Sequence, residues 1–286
     1  FRAGGSTVIL DSFQMKALMK AIVTARPTLM FATPSIYITL LEGASGASTD
    51  LQSLTTVVYG AAPMPVEVIK RLRDVCPGAS LFNAYAQSET CPAISFLEPR
   101  YALSKAGSVG KAVSGVTIAI MDETNRTVAP MEVGEICCRG ANIMSGYYGQ
   151  PELTAAKIVD GWLHTGDMGY VDEDGFLFLV NRKDDLIITG GENVYPQEVE
   201  EVLFAHPAIL DAAVIGIPHP VRGQVVGAFL VPKAGQSVDG VSVRRYCADR
   251  LASFKVPRYV QVVEMLPRNS SGKILRAELR RRWKAG

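Results

Sequence analysis

The chain has no apolar run approaching the roughly 20 residues that a bilayer crossing needs. It has no CxxC pair and no histidine spacing of the kind that holds zinc. It also has almost no excess of charge, since 29 Lys and Arg against 28 Asp and Glu leave a formal net charge of +1. A transmembrane segment is therefore not expected, and the charge balance gives no reason to expect a nucleic-acid partner or a bulk membrane surface. Small-molecule chemistry is the better expectation. The five cysteines, Cys76, Cys91, adjacent Cys137 and Cys138, and Cys247, are odd in number and scattered, which fits a reducing, cytosolic compartment. No charged leader and apolar core open the sequence. It begins at Phe1 with a loop-like FRAGG, so these residues are expected to be part of a longer protein. Internal repeats and low-complexity tracts are absent too.

What is present is a soluble-protein composition, 48% hydrophobic and 20% charged over 286 residues, enough for one large or two modest domains. From Thr7 to Ala84, short apolar or β-branched runs (Thr7 to Leu10, Thr28 to Ala32, Thr55 to Tyr59, Ser80 to Ala84) alternate with segments of helical period. The alternation predicts βαβ units and a mainly parallel sheet. Thr33 and Pro34 mark one helix start, and Pro65, followed by Val66, Ile69 and Leu72, marks another. Between about Gly107 and Val180 the texture changes to short strands punctuated by Gly, Asp and Asn, predicting a compact β-rich subdomain. After Asp184 helix and strand patterns mix again: helices over Pro196 to Ala205 and Val241 to Leu251, strands over Ala212 to Ile217 and Val225 to Val231. The expected fold class is α/β. Residues 1–106 would be part of a large, mainly parallel domain, 107–183 its β-barrel-like subdomain, and 184–286 a small α+β domain.

The densest concentration of turns, charge and glycine runs from Gly161 to Glu200, GWLHTGDMGYVDEDGFLFLVNRKDDLIITGGENVYPQEVE. Such concentrations, where an ordinary core wants apolar residues, mark sites. Asp167, after a Thr-Gly turn, can accept both hydroxyls of a ribose or simply cap its turn. Arg182 can reach the same ribose or a phosphate with its planar fork, or pair with Asp184 or Asp185. Upstream, NAYAQSET follows a predicted strand, where ligands of open α/β sheets bind. There Tyr85 offers a ring face for a purine, Ser88 a hydroxyl for phosphate and Glu89 a hard oxygen for Mg2+, although a polar turn with one core tyrosine would read the same. The small residues Gly60, Ala61, Ala62 and Pro63 would let a flat ring lie close to backbone. Lys273, after Ser270-Ser271-Gly272, can swing onto an anionic centre, and it can equally be a surface lysine; the loop is no Walker motif. His164, His206 and His219 have no convincing partners in sequence and read as structural.

Taken in order, Tyr59 to Pro63, NAYAQSET, GWLHTGD, NRKDDLIITGGENVYPQEVE and PRNSSGKILR closely resemble the adenylate-forming superfamily of acyl-CoA synthetases, luciferase and peptide-synthetase adenylation domains. The resemblance runs over essentially the whole chain. It implies ATP-dependent activation of a carboxylic acid, fatty or aryl, to an acyl-adenylate, then transfer to a thiol, with ATP/AMP, Mg2+ and coenzyme A as cofactors. By this resemblance Tyr85 stacks on adenine, Ser88 touches phosphate, Glu89 helps hold Mg2+, Asp167 and Arg182 bind the ribose, and Lys273 is the catalytic lysine. Asp184 is the hinge of a rotating lid, Gly190, Gly191 and Glu192 line the thiol tunnel, and Phe254, Lys255 and Arg258 meet the coenzyme A nucleotide. The last three read equally as a helix end with solvated charges, and the basic run Arg280, Arg281 and Arg282 reads as a solvated helix end.

GGENVYPQEVE and SSGKILR look more like acyl-CoA synthetases than peptide-synthetase domains, whose loop reads closer to KIRGxRIE. A rival within the class hands the acyl group to a carrier protein or another acceptor, and a rival outside it is a non-catalytic nucleotide-binding module. Ala86 stands where the family has glycine, and Ser88 replaces its threonine; the extra methyl at Ala86 is expected to narrow the acyl pocket. Ala61, Ala62, Pro92, Ala93 and Ile94 suit an aliphatic or aromatic tail better than an amino acid. Homo-oligomerisation is left open. The family's phosphate-gripping loop, resembling TSGTTGxPKG, is not among these residues. ATP-pyrophosphate exchange by this chain alone is therefore expected to be feeble, and robust exchange by the isolated 286 residues would overturn that expectation.

Overall fold

A computed structural model describes residues 4–10, 14–43, 51–62, 64–91, 93–182, 185–269 and 273–285. The expected alternation appears as α1 (Met15–Ala25), β1 (Leu29–Ala32), α2 (Pro34–Gly43), β2 (Thr56–Gly60), α3 (Val66–Val75) and β3 (Ser80–Ala86). The three strands pair in parallel, Leu29 with Thr56 and Thr56 with Ser80. Parallel neighbours need a crossover, and each crossover here carries a helix. Pro34 is the first residue of α2 and Pro65 caps α3, the places where a missing N–H costs nothing. The helices bury Ile22, Tyr37, Leu40, Ile69 and Leu72 against Val57 and Tyr59. The strand expected over Thr7 to Leu10 does not form: the segment is irregular, and Ile9 is 83% exposed. β-branched propensity alone does not hold a strand that has no neighbour.

From β4 to β10 the pairing is antiparallel. β4 (Ala93–Leu97), β5 (Ser108–Ala112), β6 (Val116–Met121), β7 (Gly134–Gly140), β8 (Ile158–Val159), β9 (Trp162–Val171) and β10 (Leu177–Arg182) extend the same sheet in the order β1-β2-β3-β4-β5-β10-β9-β7-β6, with β8 on β9. β5 is the joint, bonded to β4 on one side and β10 on the other. One short helix, α4 (Pro151–Lys157), was not expected from the pattern, although Pro151 and Glu152 are helix-start residues.

The remaining chain forms a second sheet. β11 (Ile187–Thr189), β12 (Glu192–Val194), α5 (Pro196–Phe204), β13 (Ile209–His219), β14 (Gly223–Pro232), α6 (Gly240–Ala248), β15 (Tyr259–Val262) and α7 (Arg276–Ala285) follow in order. The strand order is β12-β11-β14-β13, with β15 parallel to β14. Both faces of β13 are covered: Ala212 and Val214 pack toward Val199 and Leu203 of α5, while Ala213, Ile215 and Ile217 share a cluster with Leu279 of α7 and Leu266. A strand buried on both faces reads as one apolar run rather than as alternation. The basic run, expected as a solvated helix end, lies in the middle of α7 and is only partly solvated. Arg282 pairs with Glu278 on the same helix and Arg281 is exposed, but Arg280 reaches across to Asp185 at 2.6 Å.

Gly110 shows how tightly the joint strand is fitted. Its φ is +86°, and a Cβ there would collide with the Phe96 carbonyl and the Leu97 nitrogen of β4. Gly110→Ala combines a left-handed backbone with a backbone clash, and should destabilise the fold by more than about 2 kcal/mol in urea unfolding.

Candidate active site

The site is organised around a carboxylate inside a sheet. The expected Thr-Gly turn before Asp167 is instead a bulge within β9. Glu135 of β7 pairs with Met168 and Cys137 with His164, so Ile136 alone stands opposite Thr165, Gly166 and Asp167. Gly166 takes φ +73°, which a side chain would resist. A bulge inserts residues without ending the strand and re-aims the side chains around it. Three bonds hold it: the Thr165 hydroxyl donates to the Ile136 carbonyl (2.6 Å), the Asp167 N–H donates to the Thr165 hydroxyl (3.1 Å), and the Gly166 N–H donates to Glu135 Oε1 (3.0 Å).

Asp167 is 5% exposed, and a buried charge must be paired and hydrogen-bonded. Tyr85 Oη and Gln87 Nε2 each donate to Oδ2 at 2.7 Å, and Arg182 Nε lies 3.2 Å from Oδ1. Gln87 Nε2 also bonds the Thr165 carbonyl at 3.1 Å, tying the β3 end to the bulge. Arg182 thus pairs with Asp167, while Asp185 is taken by Arg280 and Arg276. Burial, reinforced by the Asp167 charge, pushes the Tyr85 hydroxyl far above the usual tyrosine range, so it stays a donor. Its ring is 6% exposed and packs with Ile94, Val109 and Leu163. A free stacking face for adenine is therefore not open here, because the ring fills the core and its hydroxyl is what reaches the site.

Next to this group, Glu89 lies on a short 3-10 helix, Ser88–Thr90. The Tyr147 hydroxyl donates to Glu89 Oε1 at 2.7 Å, and this bond raises the Tyr147 pKa. The Glu89 carbonyl accepts the Met144 N–H at 2.8 Å, and Asn142 Nδ2 bonds the Thr90 carbonyl at 2.7 Å. Ser88 is exposed and Glu89 half-buried. No cluster of three or more metal-ligating side chains exists among the described residues. A single oriented carboxylate suits Mg2+, which keeps most of its shell as water and phosphate. At the end of β2, Gly60 has no room for a side chain against the Ala84 carbonyl, and Ala61 takes φ +65°.

Lys273 enters from the second sheet. Its N–H donates to Asn269 Oδ1 at 2.8 Å, the Asn269 N–H donates to the Lys273 carbonyl at 2.9 Å, and Arg268 bridges Ile274, closing a small loop. The ammonium is half-buried, and its pKa is lowered by burial first and by the charge of Arg182 next, while Asp167 opposes the shift. Tyr85, Asp167 and Arg182 are thus brought into contact, and the charges of the last two act on Lys273. Gly190, Gly191 and Glu192 are not part of this group. Gly190 and Gly191 form the exposed turn between β11 and β12, with φ of +60° and +90°, the pair of left-handed residues a tight hairpin requires, and Glu192 opens β12 opposite Thr189. Phe254 packs under α5 and α6, Lys255 is bonded to both Glu198 oxygens at 2.6 and 2.7 Å, and Arg258 is exposed. Asp184, Pro63, Pro92 and Ser270 to Gly272 lie outside the described residues. The histidines are structural: His206 Nδ1 accepts the Ala208 N–H, His219 Nδ1 accepts the Val221 and Arg222 N–H groups, and His164 lies 3.3 Å from Glu135.

Residues 1–148 match the AMP-binding enzyme family, and residues 198–273 match the AMP-binding enzyme C-terminal domain. The chain belongs to the AMP-binding enzyme family, within the adenylate-forming superfamily. It is 38% identical over 280 residues to a feruloyl-CoA synthase of Amycolatopsis, covering 98% of the chain and 57% of that relative. It is 40% identical over 279 residues to a long-chain-fatty-acid–CoA ligase of Bacillus subtilis, covering 97% and 50%. Among solved structures it is similar to an amide bond synthetase of Marinactinospora thermotolerans (TM-score 0.88, 36% identity, 98% of this chain and 57% of that one). It is also similar to the o-succinylbenzoate CoA synthetase of B. subtilis in complex with its acyl-adenylate (TM-score 0.80, 36% identity, 93% and 54%). The chain spans about half the length of the curated relatives it matches.

Gln87, Glu135 and Tyr147 were not singled out by sequence. Gln87 lay inside a recognised motif, but Glu135 and Tyr147 carried no local signal and emerge only from cross-strand and loop contacts. Tyr85→Phe removes a donor from a buried carboxylate and should cost about 1–3 kcal/mol of stability in urea unfolding; an unchanged midpoint would mean that Gln87 and Arg182 suffice.

Proposed function

We propose that the chain is the C-terminal part of an ATP-dependent acyl-CoA synthetase, converting a carboxylic acid, ATP and coenzyme A to acyl-CoA, AMP and pyrophosphate through an acyl-adenylate. The observation that best supports this reading is the buried Asp167 carboxylate held by Tyr85, Gln87 and Arg182 at the end of the first sheet, whose charges also act on Lys273. In the first step a substrate carboxylate oxygen bonds to the α-phosphorus of ATP and the bond to pyrophosphate breaks. Two anions must approach, so a mobile cation is needed where negative charge accumulates. Lys273 supplies it, bridging the carboxylate and the α-phosphate. Asp167 and Arg182 bind the ribose, the Gly60-Ala61-Ala62 turn lies against adenine, and Ser88 touches phosphate. Glu89, aimed by Tyr147, is the protein oxygen for Mg2+, which when bound offsets phosphate charge.

In the second step the coenzyme A thiol attacks the acyl carbon and AMP leaves. Gly190, Gly191 and Glu192 serve the thiol channel, and Phe254, Lys255 and Arg258 the nucleotide of coenzyme A. The same reading puts a hinge at Asp184 between residues 107–183 and the lid 184–286, and a cytosolic location, with which the five free cysteines agree. No helix among the described residues is long and apolar enough to cross a membrane. A fatty or aryl acid is the substrate class, supported by the feruloyl and long-chain relatives. The likeness to an amide bond synthetase supports a second reading, transfer of the acyl group to an amine.

The test is the full-length protein with ATP, Mg2+ and an acid panel including ferulate, o-succinylbenzoate and palmitate. Acyl-CoA and AMP should form with at least one acid. Amide formation without acyl-CoA favours the second reading. Lys273→Ala should slow adenylate formation at least about 100-fold, and adenylation at the unmodified rate would refute the role given to Lys273.

A further inference from the structure

β13 is the last strand of its sheet, so its outer backbone groups have no strand to bond. At Val214 side chains take that place. The Val214 N–H donates to Glu200 Oε1 at 2.8 Å, Arg276 Nη2 donates to the same oxygen at 2.6 Å, and Arg276 Nε donates to the Val214 carbonyl at 3.3 Å. Glu200 and Arg276 together thus occupy the strand edge as a neighbouring backbone would. Glu200 is 5% exposed, so neither partner can leave without stranding a buried charge. Toward the start of the same strand, Arg268 Nη2 bonds Asp211 Oδ2 at 2.5 Å.

These two arginines bracket Lys273. Arg268 opens the loop through its bridge to Ile274, the Leu275 N–H closes it on the Pro267 carbonyl at 2.8 Å, and Arg276 begins α7. One turn further on, Arg280 bonds Asp185, which also lies 3.9 Å from Arg276. Both ends of the loop are therefore pinned to one strand, one through its backbone edge at Val214 and the other through the Asp211 side chain. A long lysine side chain on an unpinned loop would have to be ordered anew each time it reached its anionic target, and that ordering is unfavourable.

We infer that Arg268 and Arg276, acting through Asp211 and Glu200, are positioning residues that set where the Lys273 ammonium lies relative to Asp167 and Arg182. The inference rests on the reading of Lys273 as the adenylating lysine. It separates the half-reactions, because only the first uses Lys273.

The experiment compares Arg276→Met, Arg276→Lys, Arg268→Met and Lys273→Ala in the full-length protein. Adenylation is read by pyrophosphate exchange with an acid from the panel above, and thioester formation by supplying the synthetic acyl-adenylate with coenzyme A. A third readout needs no substrate: the pH midpoint of Lys273 acetylation by acetic anhydride, followed by mass spectrometry. Arg276→Met should lose adenylation about 30-fold or more while thioester formation changes less than about threefold. Its Lys273 midpoint should rise toward that of an ordinary lysine, in part because the Arg276 charge that lowers it is gone; a rise also in Arg276→Lys, which keeps that charge, reads the amine leaving its half-buried seat. Arg276→Lys keeps the charge but not the fork, and should recover only part of the loss. Parallel loss of both half-reactions, or an unmoved acetylation midpoint in a folded variant, would overturn the inference. If Arg276→Met does not fold, Arg268→Met, whose ion pair is less deeply buried, carries the same readouts. Full exchange by Lys273→Ala would refute the role of Lys273 itself, and the acetylation midpoint in the arginine variants would still decide the clamp.

Discussion

A carboxylate held nine-tenths or more out of water is the constraint around which this structure is arranged. Asp167 can stay charged at that depth only if both oxygens are occupied, and three side chains from two strand ends meet to occupy them: Tyr85 and Gln87 from the end of β3 and Arg182 from the end of β10. The bulge in β9 exists at the same place, held by Thr165 and Glu135, and it aims the carboxylate out of the regular ladder. Loss of any donor would be felt by the others, since a partly satisfied buried network is worse than an apolar core.

The second sheet answers a different constraint. Its outermost strand, β13, is buried on both faces yet open along one edge, and an open edge with an apolar strand behind it invites pairing with another chain. Glu200 and Arg276 close that edge with side chains. The segment that carries Lys273 lies between two such anchors, and its ammonium comes within the field of Arg182 and Asp167.

Much of the fold was legible because local rules agreed with one another. The alternation of β-branched runs with helical spacing between Thr28 and Ala84 anticipates the three parallel strands and their helices, and Pro34 and Pro65 mark helix starts where expected. The apolar run around Ala212 anticipates β13. Thr7 to Leu10 misled because a strand is a relation between segments and no partner lies beside it. The Thr-Gly before Asp167 misled in the opposite direction: a turn signal became a bulge because β7 and β10 pair on either side and keep the strand going.

By itself the sequence determined residue type and order: an acid after Thr-Gly, an arginine before two acids, a paired glycine, and a lysine in a polar loop, in the sequence of motifs that marks the family. Which partner each would take was decided by tertiary structure alone. Arg182 had nearer acids in sequence than Asp167, Tyr85 could have shown its face rather than its hydroxyl, and nothing in the chain's order announced Tyr147 beneath Glu89 or Glu200 beside Arg276. Charges choose partners by distance and burial, and both are properties of the folded sheet rather than of the chain.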